Sequence, residues 1–573
     1  MSTSKASGAK PWLALWGDSL PEERLAECAA YHFIYKRNQG YLQNTALRYF
    51  DKTISFQELF DKIQQTARAF QALGVKQGDI VTICSVMTPE TVYMFYALDL
   101  LGATPNMVDP RMSIQGIKEY IEEVNSEIVC VLHVAYPKIK EAVKGLDVRH
   151  VVVSSPADSL PAIKKILYKV ANRDGNRYDS NVLMWLDFAA KGAAGANFDT
   201  NPYDPAHAAV IVHTGGTTGS PKGVMLGDKA LNALALQMSR MQFKRKQRML
   251  NIMPPFIAYG YANGVHLPLS EGAEVVLIPQ FDASAFGSLL KKYHPEHTAG
   301  VPLHYQMLAR DSSMKNADLS YLVTAGCGGD AISTGTEDEV NAFLAAHNAP
   351  YKISKGYGMT EVASTATVNF RNVNKRGSVG IPLYLTNIGI FKPGTDEELD
   401  YNVEGEICIS GPNMMLGYYG KPEETEAIKI RHSDGQEWIH TGDIGWMDEE
   451  GYLFICSRIK RLIIRHDGFK VFPSAIENVI SQHPDIAVSC AVPTKDPDRE
   501  QGELPFVYLQ RKEGGGKSQE EIKKEVAALC KQNLAEYAVP LEYAFIENMP
   551  YTAIGKIDYL KLEQIRRTKE ATI

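Results

Sequence analysis

Apolar and polar positions along the chain switch between two rhythms, and the switches define the elements. Ser55 and Glu58 form a capping box that predicts a helix over 56–72. The short β-branched run Ile80-Val81-Thr82-Ile83-Cys84 predicts a strand, and a helix from Thr88 to Leu101 follows. Further strands are predicted at 128–133, 150–154, 208–212 and 274–278, and helices at 229–241 and from Phe281 to Tyr293. Strands alternating with helices predict an α/β body of mostly parallel sheets flanked by helices. Residues 401–455 lose that rhythm and predict a β-rich subdomain. Beyond Arg458 the pattern restarts with helices at 474–482 and 518–533 and strands at 487–492, 505–511 and 542–546. This reads as a small α+β domain of about 110 residues. At the other end, Trp12 and Trp16 flank an apolar patch expected to dock on the main body.

Residues 159–178 interrupt the rhythm. Ala162, Ile163, Ile166, Leu167 and Val170 fall at helical spacing, with Lys164, Lys165 and Lys169 off that face. A basic amphipathic helix of this kind can lie on an anionic membrane. More commonly its apolar face packs on its own protein, and that is the expectation here.

Composition narrows the class. The 573 residues are 45% hydrophobic and 22% charged, a globular balance, and the net charge of −7 argues against nucleic acid as a partner. Eight cysteines lie scattered without a C-x-x-C pair, as in a protein with reduced thiols. The first twenty residues lack a signal-peptide core, and no apolar run is long enough to span a membrane. A cytoplasmic protein is expected.

One stretch stands out chemically. After the strand 208–212 comes His213-Thr214-Gly215-Gly216-Thr217-Thr218-Gly219-Ser220-Pro221-Lys222-Gly223. Successive N–H groups of a glycine-rich turn form a nest for an anion; the hydroxyls add donors and Lys222 adds a point charge. A polyphosphate suits that surface. No Gly-Lys-Ser/Thr closes it, so it is not a Walker loop.

The stretch resembles the phosphate-binding signature of the adenylate-forming superfamily. Four more motifs match that superfamily in its order. Gly356-Tyr357-Gly358-Met359-Thr360-Glu361 resembles the second nucleotide motif. The resemblance implies Tyr357 on adenine, Thr360 at the α-phosphate and Glu361 as the Mg²⁺ ligand. His440-Thr441-Gly442-Asp443 resembles the ribose motif, with Asp443 accepting both hydroxyls and Arg458 beside it. The segment from Ser457 through Gly468-Phe469-Lys470-Val471-Phe472-Pro473 resembles the linker and first loop of the C-terminal domain. There Lys460 would be the hinge, Gly468 and Phe469 would line the pantetheine tunnel, and Arg465 would lie near the CoA phosphates. Pro550 to Asp558 resembles the terminal catalytic motif, with Lys556 as its lysine. Adenine is expected against Gly328, Gly329 and Asp330. The resemblance extends over nearly the whole chain and is closest to the acyl-CoA synthetase branch. It implies an N-terminal adenylate-forming domain over 1–457, its β-rich part from about 380, and a mobile domain over 458–573.

The implied reaction has two halves. A carboxylate attacks the α-phosphate of ATP to give acyl-AMP and pyrophosphate; CoA thiolate then displaces AMP. Thr360, Glu361, Lys556 and the loop residues Thr214, Gly215, Gly216, Thr217, Thr218, Gly219 and Lys222 are the implied machinery. Substrates and cofactors are then a carboxylic acid, ATP, CoA and Mg²⁺. Phe256, Ile257, Tyr259, Val301 and Cys327 are the expected apolar wall, and no cationic or amino-binding partner for the acid is evident. A medium- or long-chain fatty acid is favoured over an aryl acid. Asp282 is read as a helix N-cap rather than an amino-acid anchor. Two departures from the family pattern stand out. Ile257 takes the place of a common aromatic gate, and the loop from Arg458 to Gly468 is one residue longer than usual. The rival readings are an acyl-AMP ligase loading a separate carrier protein and a non-enzymatic nucleotide sensor of the same fold.

Overall fold

The computed structural model describes residues 5–17, 25–171, 178–193, 203–214, 222–241, 243–467, 469–497, 499, 501–512, 517–552 and 556–570. Two large sheets form the body. The first has nine strands in the spatial order Ile381–Pro382, Thr367–Val368, Ser354–Tyr357, Thr324–Cys327, His297–Gly300, Arg248–Asn251, Glu274–Leu277, Thr45–Tyr49 and Lys52–Ser55. Its six central strands pair in parallel, and antiparallel partners close both edges. The second has eight strands, running from Gly417–Tyr418 through Gly223–Gly227, Ala208–His213, Thr104–Val108, Ile80–Cys84, Ile128–Leu132 and His150–Ser154 to Val182–Met184. The six strands from Ala208–His213 to Val182–Met184 pair in parallel, and Gly223–Gly227 and Gly417–Tyr418 add antiparallel partners at the other end. Parallel strands are buried on both faces, which is why they read as unbroken apolar runs.

The local signals explain the helices. Ser55 Oγ accepts from the Glu58 N–H, and the Glu58 carboxylate accepts from the Ser55 N–H, starting the helix Phe56–Ala72. Thr88 caps Pro89–Leu101, which ends on Gly102 at φ 68°. Asp282 accepts from the Ser284 N–H, as an N-cap does. Trp12 is fully buried; Trp16 stacks on Phe370 at 4.5 Å and donates its indole N–H to the Pro382 carbonyl. All eight cysteines are free, seven of them buried.

The strand Thr104–Val108 is absent from the sequence reading. It lies between Ile80–Cys84 and Ala208–His213, with Pro105 opposite Val81. Proline and asparagine in TPNMV hide a central strand, because proline normally marks an edge.

The β-rich part is as expected: five antiparallel strands, Asn387–Phe391, Gly405–Ser410, Lys429–Arg431, Glu437–Met447 and Leu453–Arg458. The three-residue turn Ile459–Arg461 follows. The C-terminal part holds the hairpin Ile463–Ile464 with Lys470–Val471 and the three-stranded sheet Ile486–Lys495, Glu503–Arg511 and Glu542–Phe545. Its helices are Pro473–Ile480, Gln519–Asn533 and Tyr559–Glu570. Gln306 of the body donates to the Ala487 carbonyl across the junction at 3.3 Å.

One expectation fails. The helix Ala162–Ala171 forms, but Ile166 and Leu167 are exposed rather than packed on the protein.

Candidate active site

The strands Ala208–His213 and Gly223–Gly227 form a hairpin closed by the Thr214 N–H donating to the Lys222 carbonyl at 3.0 Å. Gly215, Gly216, Thr217, Thr218 and Gly219 of the glycine-rich loop lie outside the described residues. The hairpin is held from one side by His213. Its ring stacks on Tyr120 at 3.7 Å, and its Nε2 lies 2.7 Å from Asn106 Oδ1. Burial pushes the His213 pKa down to about 3, so the ring is neutral and supplies geometry rather than charge.

Lys222 reaches across the hairpin to a strand the sequence did not single out. Its ammonium pairs with Glu424 and stands 4.7 Å from the centre of the Tyr418 ring. The Tyr418 hydroxyl in turn donates to Glu361 Oε1 at 2.7 Å. Lys222 and Glu361 lie about 140 residues apart in sequence and meet through one tyrosine. Burial raises the Glu361 carboxyl above its ordinary range, while the Tyr418 bond opposes that. The signal for Tyr418 was the Gly417-Tyr418-Tyr419-Gly420 run, too short for periodicity to mark.

Glu361 sits in the single turn Thr360–Val362 at the end of the motif. The next two residues, Ala363 and Ser364, both have left-handed backbone, φ 55° and 102°. Such conformations cost about 1–3 kcal/mol each outside glycine and persist where surrounding packing enforces them. Gly358 allows the turn to fold back: a Cβ there would lie 1.9 Å from the Ser364 carbonyl oxygen.

Asp443 forms the second cluster. It is 4% exposed and lies opposite Arg458 across the strand pair Glu437–Met447 and Leu453–Arg458. Its Oδ1 is 3.0 Å from Arg458 Nε, and its Oδ2 accepts from the Tyr357 hydroxyl at 2.7 Å. A carboxylate has about four acceptor positions, so each oxygen keeps one for a ligand hydroxyl. Burial raises the Asp443 carboxyl, and the Arg458 charge opposes this.

Lys556 joins this cluster from the C-terminal part. Burial lowers its pKa, while the carboxylates of Asp330 and Asp443 favour its charged form. The neighbouring Ile557 N–H donates to Asp330 Oδ2 at 3.3 Å. Asp330 follows Gly328 and Gly329 at the end of the strand Thr324–Cys327, the end where ligands gather in parallel sheets. Gly329 has φ +82°, and a Cβ on Gly328 would lie 3.5 Å from the Gly356 carbonyl oxygen. Gly328, Gly329, Asp330, Gly356, Tyr357, Asp443, Arg458 and Lys556 are thus linked into one cluster.

Arg465 and Phe469 stand in a different setting. Arg465 pairs with Asp467 and donates to the Tyr537 carbonyl at 3.2 Å, and Phe469, half exposed, stacks on the Tyr537 ring at 4.7 Å. Gly468 lies outside the described residues.

On the other side of Gly328 lies an apolar wall. Phe256, Val301 and Cys327 are buried, and Tyr259 donates to the Gly300 carbonyl at 3.4 Å. Tyr259 opens a wide helical turn, Tyr259–His266, that periodicity could not reveal. Arg111 stands 5.4 Å from the centre of the Phe256 ring, a cation missed in the sequence, although Asp109 neutralises it at 2.8 Å.

Comparison with known proteins places this architecture. The model of the AMP-binding enzyme family matches residues 34–419, and that of the AMP-binding enzyme C-terminal domain matches residues 475–556. The chain belongs to the AMP-binding enzyme family. The resemblance to the acyl-CoA synthetase branch is borne out, and the protein is an acid–thiol ligase. It is 28% identical over 557 residues to a long-chain-fatty-acid–CoA ligase of Bacillus subtilis (strain 168), covering 96% of each chain. It is 29% identical over 547 residues to a probable 4-coumarate–CoA ligase of Dictyostelium discoideum, covering 94% of each. Among solved structures, the anthranilate CoA ligase AuaEII in complex with anthranoyl-AMP superposes with a TM-score of 0.83 at 20% identity, over 96% of this chain and 99% of that one. ATP-bound MatB from Rhodopseudomonas palustris gives 0.80 at 22%, over 94% and 99%. These two share the fold of this AMP-binding enzyme. No helix among its described residues is long and apolar enough to cross a membrane.

Proposed function

We propose that the protein is an AMP-forming acyl-CoA synthetase that activates a medium- or long-chain fatty acid. The observation that supports this most is the arrival of Lys556, from the far end of the chain, beside Asp443, Arg458 and Asp330. In this reading the acid lies along Phe256, Ile257, Tyr259, Val301 and Cys327, with its carboxylate toward Lys556. Lys556 offsets the charge of two anions brought together, and Thr360 and the loop from Thr214 to Lys222 hold the phosphates. Asp443 accepts from the ribose hydroxyls with its remaining acceptor positions, while Tyr357 and the Gly328-Gly329-Asp330 turn bound the adenine.

Glu361 fits Mg²⁺. It is a hard oxygen donor with Tyr418 on one oxygen, and Mg²⁺ is commonly held by one or two carboxylates together with phosphate oxygens. When bound, the ion would neutralise charge on the phosphates.

The second half needs Lys556 withdrawn and a thiol admitted. The break between the domains falls at the turn Ile459–Arg461, which contains Lys460, and we assign residues 1–457 and 458–573 to the two bodies. Arg465 and Phe469, which pack on Tyr537, would receive CoA after that rotation.

Acid-dependent pyrophosphate release across fatty, aryl and amino acids tests the reading. Release with fatty acids of eight or more carbons, followed by thioester formation with CoA, is the expected result. Release with aryl acids alone would transfer the assignment to that class, the one named for the similar 4-coumarate–CoA ligase. Acyl-AMP accumulating in the presence of CoA would indicate a carrier-protein acceptor.

A further inference from the structure

Two apolar side chains of the helix Ala162–Ala171 point to solvent. Ile166 and Leu167 are 64% and 63% exposed. The polar residues instead bind the protein: Lys164 pairs with Asp51, Lys165 donates to the Asp158 carbonyl at 3.2 Å, and the Tyr168 hydroxyl lies 3.3 Å from His133 Nε2. Two of these contacts bring further apolar side chains alongside. Val134, next to His133, is 65% exposed, and Phe50, whose ring centre lies 5.9 Å from the Lys164 ammonium, is 36% exposed. Val134, Ile166 and Leu167 are the three most exposed large apolar side chains among the described residues, and they share one neighbourhood.

The charge around them is mainly positive. The helix contains three lysines and no acidic residue in a chain of net charge −7. Beside Phe50 lies an open cleft lined by Arg48, Asp51, Arg248, Lys292 and Tyr293. Asp51 serves both Lys164 and Lys292, and Glu274 serves both Arg48 and Arg248, so four cations share two carboxylates. Outward apolar side chains beside cations that outnumber their carboxylates match the interface of an anionic bilayer, where the apolar groups enter the acyl boundary and the cations meet headgroups.

We propose that this surface docks the protein on anionic membranes, with Ile166, Leu167 and Val134 as the inserted residues and the Lys164–Lys292 cluster as the headgroup contact. The inference is independent of the acid: it holds equally for a fatty or an aryl substrate.

Co-sedimentation of the full chain with phosphatidylcholine vesicles, with and without phosphatidylserine, tests it. Wild type is expected to pellet with the anionic vesicles at low salt and to be released as salt rises. Ile166→Asp combined with Leu167→Asp should lower that partition by about tenfold or more. Lys165→Glu with Lys292→Glu should abolish the preference for phosphatidylserine. Both pairs should retain pyrophosphate release from a water-soluble acid and the wild-type melting temperature. If the aspartates lower the melting temperature, Ile166→Ser with Leu167→Ser replaces them, with the same loss of binding expected. Wild type that stays in the supernatant with both vesicles would overturn the proposal, as would equal binding by the apolar variants. A wild-type dimer in sedimentation velocity that Ile166→Asp with Leu167→Asp converts to monomer would overturn it too, by assigning the patch to a second copy.

Discussion

The two ends of the proposed site are constructed on opposite principles. At the nucleotide end, polar groups have named partners: Asp443 holds Tyr357 and Arg458, Glu361 holds Tyr418, and Lys556 arrives beside Asp330. At the acid end, Phe256, Ile257, Val301 and Cys327 offer surface and almost no directional bonds. Directional groups tolerate few substitutions, because a buried polar atom left unpaired costs about 1–3 kcal/mol. Apolar walls tolerate many, because shape is shared among neighbours. The nucleotide end should therefore fail sharply when altered, whereas the acid end should only shift its preference.

The largest expected effect is at Lys556. Lys556→Ala should slow adenylation by about 10²–10³-fold, the usual loss for one positioned electrostatic donor. Thioester formation from supplied acyl-AMP and CoA should be nearly intact. Single-turnover rates for each half, on a variant with wild-type melting temperature, decide this; equal damage to both halves would falsify the swap of roles between them. Next is Glu361→Gln, expected to cost about 1.5–3 kcal/mol in the first half-reaction by loss of a charge-assisted contact. An unchanged magnesium dependence of pyrophosphate exchange would place the ion elsewhere. Asp443→Ala should raise the ATP requirement and abolish the preference for ATP over dATP. If the variant discriminates ribose as wild type does, Asp443 is not its acceptor.

Two smaller effects probe the contrast from the other side. Ile257→Ala should leave ATP use unchanged and shift selectivity among neighbouring acid lengths by about 1–3 kcal/mol, the range for one methylene in an apolar pocket. A fall in nucleotide affinity instead would mean the two ends are not separable. The mildest test is pH. Burial lowers the Lys556 pKa, so its proton leaves below the ordinary lysine range. Adenylation should fall as pH rises through that lowered value. The thioester step should not share that decline, because rising pH produces more of the CoA thiolate. Stopped-flow rates of the two halves across alkaline pH would reveal a common limb if Lys556 served both.

The same contrast governs what was legible in the sequence. Capping boxes and apolar runs placed Phe56–Ala72, Ile80–Cys84 and Gln519–Asn533 almost to the residue, because those signals are local. The motifs named Tyr357, Asp443, Arg458 and Lys556, and the folded chain gathers them in one cluster. Tyr418 and Asn106 escaped notice because their importance lies in what they touch: Lys222 and Glu361 in one case, His213 in the other. Pro105 concealed a central strand by its ordinary meaning as an edge residue. The helix Ala162–Ala171 was legible as an amphipathic helix, but periodicity gives only the angle between its faces and not which one points outward.

The attachment of Lys556 has a further consequence. The Lys556 N–H donates to Thr552 Oγ1, its carbonyl accepts from the Thr552 N–H, and Tyr551 bridges Ile557. The neighbouring Ile557 reaches Asp330 through its main chain. The lysine is therefore aimed largely by backbone bonds, which all residues but proline can make. In a library of variants of this segment, exchanges of one side chain for another at Ile557 should often survive. Gain or loss of a single residue between Thr552 and Lys556 should not, because it would break the paired bonds between these two residues that aim the ammonium.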